Sequence, residues 1–322
     1  PGPGPVAMRF WSSLVLAVAL SASAAAQTAG PYDRLVEEAG AAYGAGRHAA
    51  SDSLYALAFE AGTPTASDLY NAACSAALAG HVDRAFGLLE RAVVEGWESV
   101  GHARTDGDLA PLRQDSVRWA ALEASVSASM QGRYGAAFDP DLRAALADVY
   151  VTDQGGRRAM ADIQRRYEGA ARDSAVAALW ARQSAVDSVN VVYLEGVIAE
   201  RGWPGYRLVG RDGAQTAFLV LQHAPLEVQQ RHLPALEAAV AAGDADPANL
   251  AYLVDRIRVR TGRPQLYGSQ AAQDPATGAL GFSPIEDEAN VDARRAAVGL
   301  GPLSEYARTM GFDYVPPAAP AE

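Results

Sequence analysis

The stretch AQTAFLVLQHA, residues 214–224, decides the fold. Its residues are apolar around nearly the whole helical circumference, and a helix of that kind lies in the interior of a domain. We therefore predict a central buried helix, and a strand over residues 212–224 would contradict this fold class. The helix ends in Gln222 and His223. Because unpaired buried polar groups cost free energy, these two side chains must find partners or line a site.

The segments on both sides of this helix also carry helical patterns. Asp139 can cap a helix that has Pro140 in its first turn, and Gly202 and Gly262 are placed to end helices. We predict an all-α protein whose helical-bundle domain spans residues 137–314 and contains a short β-hairpin near residues 265–284. The tail, residues 315–322, has a composition typical of disorder.

A repeat precedes this domain. The segments AGRHAASDSLYALAFEAG and AGHVDRAFGLLERAVVEG align with a period of 34 residues, which places Gly46 over Gly80 and Tyr55 over Leu89. This period, with small, turn and large positions in this order, resembles the tetratricopeptide repeat, a helical hairpin. We predict tetratricopeptide-like hairpins over residues 31–125. They would form a groove for a protein or peptide partner or, as the alternative, serve only as a packing module.

Composition excludes several functions. The net charge of −11 disfavours nucleic acid and anionic membrane surfaces as partners. All 27 basic residues are arginine, which excludes chemistry that needs a lysine, such as a phosphate-binding P-loop or a Schiff base. The single cysteine, Cys74, rules out an internal disulfide. No spacing typical of a zinc site and no G-x-S-x-G is present, so we predict neither a metal nor another cofactor.

The first residues resemble a targeting signal. Residues 8–26 combine one arginine, an apolar run and small residues near the end, which is the pattern of a secretory signal peptide. We expect cleavage there, a secreted or periplasmic location, and no membrane insertion after the signal is removed. Residues 1–7, PGPGPVA, are expected to be an added remnant or an upstream misread start.

Short polar strings recur through the second domain in a fixed order. They are DQGGR (153–157), VDSVN (186–190), GWP (202–204), VG (209–210), QHA (222–224), QR (230–231), LVDR (253–256) and QLYGSQ (265–270). Together they make the region similar to an uncharacterised family of bacterial proteins, often exported. Where that family more usually has threonine, this chain has Ser269. The resemblance implies no reaction.

Polar residues in and near these strings are the candidate site. We predict His223 as general acid or base, with Asp153 and Asp255 as further catalytic residues, since histidine titrates near neutral pH and is oriented by carboxylates. Arginines and amides would hold a small polar ligand, such as a peptide-like or amino-acid-like substrate of a hydrolase. The predicted binding residues are Gln222, Arg157, Asp187, Asn190, Gln230, Arg256, Tyr267 and Gln270. The alternative is a non-enzymatic binding or scaffold protein in which these groups pair structurally or hold a small ligand.

Overall fold

A computed structural model describes residues 30–274, 277–315 and 317. Within them the chain forms fourteen α-helices and one two-stranded antiparallel sheet, so the all-α prediction is confirmed. The predicted signal peptide lies outside the described residues. Among the described residues, none of the helices has the length and apolar composition needed to cross a bilayer.

The first part of the chain is a series of paired helices. Helix α1 (Pro31–Gly44) packs on α2 (His48–Ala61), and α3 (Ala66–Leu78) packs on α4 (Val82–Val94). The turn within each pair contains a glycine of positive φ, Gly46 at 71° and Gly80 at 83°. Between the pairs, Ser51 and Ser75 are fully buried and their hydroxyls lie 2.9 Å apart. The other helices here are α5 (Val100–Thr105), α6 (Ala110–Arg113) and α7 (Ser116–Tyr134).

The second part is a bundle of longer helices. As expected, the side chain of Asp139 caps the first of them by accepting a hydrogen bond from the Leu142 N–H, with Pro140 in the first turn. The bundle comprises α8 (Pro140–Arg166), α9 (Gly169–Arg201), α10 (Tyr206–His223), α11 (Leu226–Ala241) and α12 (Pro247–Arg260).

Helix α10 is the central helix that the opening stretch predicts. Ala217, Phe218, Val220 and Leu221 are all at most 3 % exposed and belong to one apolar cluster with residues of α9, α11 and α12. The helix begins earlier than the apolar pattern suggests, at Tyr206. It contains a kink at Gly210, whose φ of 72° lies in the left-handed region. The sequence pattern missed residues 206–213 because they are mostly polar or glycine.

A small sheet and two short helices complete the structure. Strand β1 (Ala271–Gln273) pairs antiparallel with β2 (Leu280–Phe282), which confirms the predicted hairpin. The C-terminal helical segment divides into α13 (Val291–Ala297) and α14 (Leu303–Thr309). The division falls at the segment GLGP, residues 299–302, in which Gly299 has a φ of 77°.

Candidate functional site

A histidine–aspartate pair lies where α10 meets α8. The Nδ1 atom of His223 is 3.1 Å from Oδ1 of Asp153, and the Asp153 side chain is 1 % exposed. The His223 side chain is 14 % exposed. Because Nδ1 faces the carboxylate, Nε2 points to the other side of the ring and is the nitrogen available to a ligand. The other histidine of this part of the chain, His232, instead pairs with Glu195 at 2.9 Å.

Neighbouring groups keep Asp153 ionised. Its burial raises the pKa, but the His223 hydrogen bond and the charges of His223 and Arg157 outweigh burial, and the pKa lies below its usual range. Gln154 Nε2 donates to Oδ2 of Asp153 at 2.6 Å. The carboxylate can therefore orient the His223 ring.

Arg157 joins Asp153 to the next helix. One turn along α8, its guanidinium donates two hydrogen bonds to Asp187 of α9, at 3.1 and 2.8 Å, and lies 3.5 Å from Oδ1 of Asp153. Gln183 Nε2 donates to the same Asp187 at 2.8 Å and to the Asp153 carbonyl at 3.0 Å. Gly156 allows this approach, since a Cβ there would lie 2.1 Å from Gln183 Oε1. The positive charge of Arg157 is therefore matched within the protein.

Arg256 on α12 is different, because it has no counterion. Its guanidinium forms no hydrogen bond or ion pair within the described residues, and its Nε is buried without an acceptor. Burial, reinforced by the charges of Arg260 and Arg157, lowers the pKa of Arg256 to about 10, so the group is still charged at neutral pH. A half-buried cation without a counterion, one turn from Arg260, creates a local excess of positive charge.

Two further groups connect this cation to the bend that carries His223. Arg260, one turn after Arg256, donates to the carbonyl of Ala224 at 3.3 Å and to Gln229 Oε1 at 3.2 Å. Gln229 is fully buried and donates to the carbonyl of Gln222 at 2.7 Å. The carbonyls on either side of His223 are thus fixed by α11 and α12.

Asp255, which the sequence predicts as catalytic, lies in a different environment from His223. Its carboxylate is fully buried and accepts four hydrogen bonds, all from the backbone N–H groups of Leu266, Tyr267 and Ser269. With its oxygens occupied in this way, it holds the QLYGSQ loop in place. We therefore assign Asp255 a positioning role and do not retain it as an acid or base.

The remaining predicted residues divide between the cluster and the loop. Asn190 is 5 % exposed, and its Nδ2 is buried without an acceptor among the described residues. Gln230 lies on the exposed side of α11, and Gln229 takes the inward position instead. Gln270 donates to Ser269 Oγ at 2.9 Å within the loop, where Tyr267 is half-buried. The side chain of Gln222 is half-buried.

Sequence reasoning missed Gln183 and Arg260 as members of the cluster. Each lies four residues from a predicted member, Gln183 before Asp187 and Arg260 after Arg256. Since residues four apart share a helix face, this spacing was the available signal.

A comparison with protein families matches residues 140–315 to a family described as a family of unknown function, DUF6624. That range covers every residue of the cluster described above. No curated protein and no solved structure matches the chain. The family match does not reach the N-terminal helical pairs, whose assignment to the tetratricopeptide repeat stays a prediction.

Proposed function

The chain belongs to the DUF6624 family of unknown function, and we propose from the geometry of its helical region that it binds a small anionic ligand at Arg256 and transfers protons to or from it through His223. The ligand class is a carboxylate-bearing molecule that resembles an amino acid or a peptide. Hydrolysis of such a substrate is the reaction that we favour.

The unpaired charge of Arg256 carries this proposal. Burying an ion in a protein interior costs on the order of several kcal/mol unless a counterion compensates. Arg157 has Asp187 and Asp153 for this purpose, whereas Arg256 has no carboxylate among the described residues. A carboxylate from a ligand would supply the missing charge, and a guanidinium is suited to bind it through two parallel hydrogen bonds.

The His223–Asp153 pair supplies the acid–base chemistry. Asp153 fixes Nδ1, so Nε2 can accept a proton from a water molecule or donate one to a leaving group. Asn190 Nδ2, a buried donor without an acceptor among the described residues, could bind a carbonyl oxygen of the same ligand. In the part of the chain that the structure describes, His223 has no hydroxyl or thiol hydrogen-bond partner, which favours activation of water over a covalent enzyme intermediate.

The unpaired charge of Arg256 also supports a second function, in which the site binds its ligand without reaction. The arginines would then bind the ligand alone, and the His223–Asp153 pair would only shape the site. For either function, we propose that the protein is exported, on the support of residues 8–26, and that the N-terminal helical pairs bind a protein or peptide.

A thermal-shift screen of residues 27–322 against amino acids, dicarboxylates and short peptides tests the proposal. A ligand of this class should raise the melting temperature of the parent. Arg256→Gln should weaken its binding by about 10- to 100-fold, since charge-assisted hydrogen bonds contribute about 1.5–3 kcal/mol. Arg263→Gln, the same change at an exposed arginine just beyond the end of α12, is the matched control.

Activity separates the two functions. Once the screen identifies a ligand, mass spectrometry should detect hydrolysis of that ligand by the parent. The His223→Gln variant should bind the ligand and leave it intact. Binding that persists in Arg256→Gln at the parent's affinity would contradict the proposed site. Binding without turnover in the parent would support the non-enzymatic function.

A further inference from the structure

A second feature, separate from the His223 cluster, is a cavity of about 580 Å³ beside the N-terminal half of α10. It is lined from one side by the segment that follows α4, including Trp97 and Glu98, and from the other by residues of α10 and α12, including Asp212 and Asn249. A volume in this range is typical of sites for small molecules. His223 lies at the opposite end of α10 and is not in the wall.

Aromatic side chains form much of the wall. Trp97 stacks on Tyr70 with ring centroids 5.3 Å apart, which fixes its orientation. Trp203, from the GWP string, also lines the cavity, and its Nε1 is a buried donor with no acceptor among the described residues. Tyr206 is covered by the guanidinium of Arg211, 4.4 Å from the ring centroid. Rigid aromatic faces with an unsatisfied N–H favour a ligand that has both apolar surface and acceptor oxygens.

Two amides add hydrogen-bonding groups at the wall. Asn249 Nδ2 donates to Gln215 Oε1 at 2.7 Å, which orients both side chains. The Oδ1 of Asn249 and the Nε2 of Gln215 are then the groups left for a ligand, one an acceptor and the other a donor. Such a pair suits hydroxyl groups, since a hydroxyl can donate and accept.

Two carboxylates of the cavity wall, Glu98 and Asp212, already have partners within the protein. Glu98 accepts hydrogen bonds from the Tyr134 hydroxyl at 3.0 and 3.1 Å and from the Arg211 N–H at 3.0 Å. Asp212 is paired with the buried Arg143 at 2.9 Å. Burial also raises the pKa of Asp212 to about 7, so part of the population carries no charge at neutral pH. These two carboxylates therefore offer little to a cationic ligand, and the side chains Trp97, Trp203, Asn249 and Gln215 of the wall are uncharged.

We propose that this cavity is a binding site for a neutral saccharide of one or two units. A pyranose ring has an apolar C–H face that can lie on Trp97 or Trp203, and its hydroxyls can bind the Trp203 N–H and the amides of Asn249 and Gln215. The wall combines residues on both sides of Pro140, so the site needs the N-terminal helices as well as the region matched by the family. It is independent of the function proposed for His223.

Tryptophan fluorescence tests the proposal directly, since two tryptophans lie in the wall. Residues 27–322 would be titrated with cellobiose, maltose and N,N′-diacetylchitobiose, with choline and a neutral dipeptide as probes of other chemistry. We expect saturable binding of at least one saccharide. Trp203→Phe, which keeps a ring and removes the N–H, should weaken it by about 3- to 10-fold, the usual contribution of one hydrogen bond. Asn249→Ala should weaken it to a similar extent.

Two controls make the outcome specific. Trp180→Phe, on α9 and outside the wall, should bind the saccharide as the parent does. His223→Gln should also bind it unchanged, so failure of the His223 site and failure of this one are distinguishable. The proposal is overturned if none of the three saccharides binds, or if Trp203→Phe and Asn249→Ala both bind the saccharide at the parent's affinity. It is also overturned if choline or the dipeptide displaces the saccharide and binds the parent with higher affinity.

Discussion

Asp153 is the residue that links the acid–base pair to the arginines. Polar side-chain atoms of His223, Gln154 and Arg157 lie within 3.5 Å of its carboxylate oxygens. Asp153→Asn keeps the shape and removes the charge. We expect it to reduce the free energy of unfolding at pH 7 by about 3 kcal/mol, the order found when one partner of a buried ion pair is removed.

The pH dependence of this loss has a definite sign. The pKa of Asp153 is lowered in the folded protein, so its stabilisation is fully present above the unfolded pKa of about 3.9. It is lost as the pH falls through the lower folded value. Urea unfolding of the parent and of Asp153→Asn should therefore differ most above about pH 5, and the difference should shrink below about pH 4. A difference that stays constant from about pH 7 to about pH 3 would contradict an ionised Asp153.

At the residue scale, the sequence predicts which residues belong to the site better than it predicts which side chains contact each other. His223, Asp153, Arg157 and Asp187 were predicted for one site, and the structure brings them together. The choice between Gln229 and Gln230 depends on the rotation of α11, and the role of Asp255 depends on a loop that folds back over it. Both are set by packing between distant segments, which no local pattern contains.

At the scale of elements, the kink of α10 has the strictest requirement for one residue type, glycine at position 210. Gly210 has a φ of 72°, and a Cβ on it would lie 2.0 Å from Met130 Cε of α7. Gly210→Ala combines left-handed backbone strain with this clash, and strain alone costs about 1–3 kcal/mol. We expect a loss of stability of at least that order in urea unfolding.

Gly155→Ala is the matched control for this change. Gly155 is exposed within α8, has helical backbone, and a Cβ there would meet no atom within 4 Å. The substitution should stabilise the protein by about 0.5–1 kcal/mol, the difference between glycine and alanine in a helix. Equal effects of the two substitutions would show that α10 has no special backbone at Gly210.

Most elements could be predicted because their signals are local. The apolar run of residues 217–221, the Asp139–Pro140 cap and the glycine stops each specify a helix or its end within a few residues. The kink at Gly210 is not specified in this way. Its cause is the contact of α10 with Met130 and Glu98, which are far away in sequence.

At the scale of the whole molecule, the N-terminal helices and the helical bundle are connected through a buried arginine. Arg143 of α8 donates to the carbonyl of Glu98 at 2.8 Å and to Asp212 of α10 at 2.9 Å. The N-terminal helices are therefore joined to the bundle by polar contacts beside the cavity of about 580 Å³. The 34-residue period predicts the helical pairs themselves, but this junction could not be predicted from the sequence.

The balance between stability and ligand binding is also a property of the whole molecule. A cation whose counterion is supplied only by a ligand destabilises the unliganded protein. Removing a cation that is paired with carboxylates of the protein is instead destabilising, because those carboxylates lose their counterion. Arg256 and Arg157 are close enough for their charges to interact, yet of these two only Arg157 has carboxylate partners among the described residues. Replacing each by methionine should therefore change the global stability in opposite directions.

The most direct measurement is the free energy of unfolding of Arg256→Met and Arg157→Met, from urea titrations at neutral pH without ligand. We predict that Arg256→Met is more stable than the parent by about 1 kcal/mol, because an unpaired, half-buried charge is removed. Arg157→Met should be less stable by about 3 kcal/mol, because it removes the guanidinium that matches the charges of Asp187 and Asp153. If Arg256→Met is destabilised as strongly as Arg157→Met, Arg256 serves the fold, and the proposed anion site is contradicted.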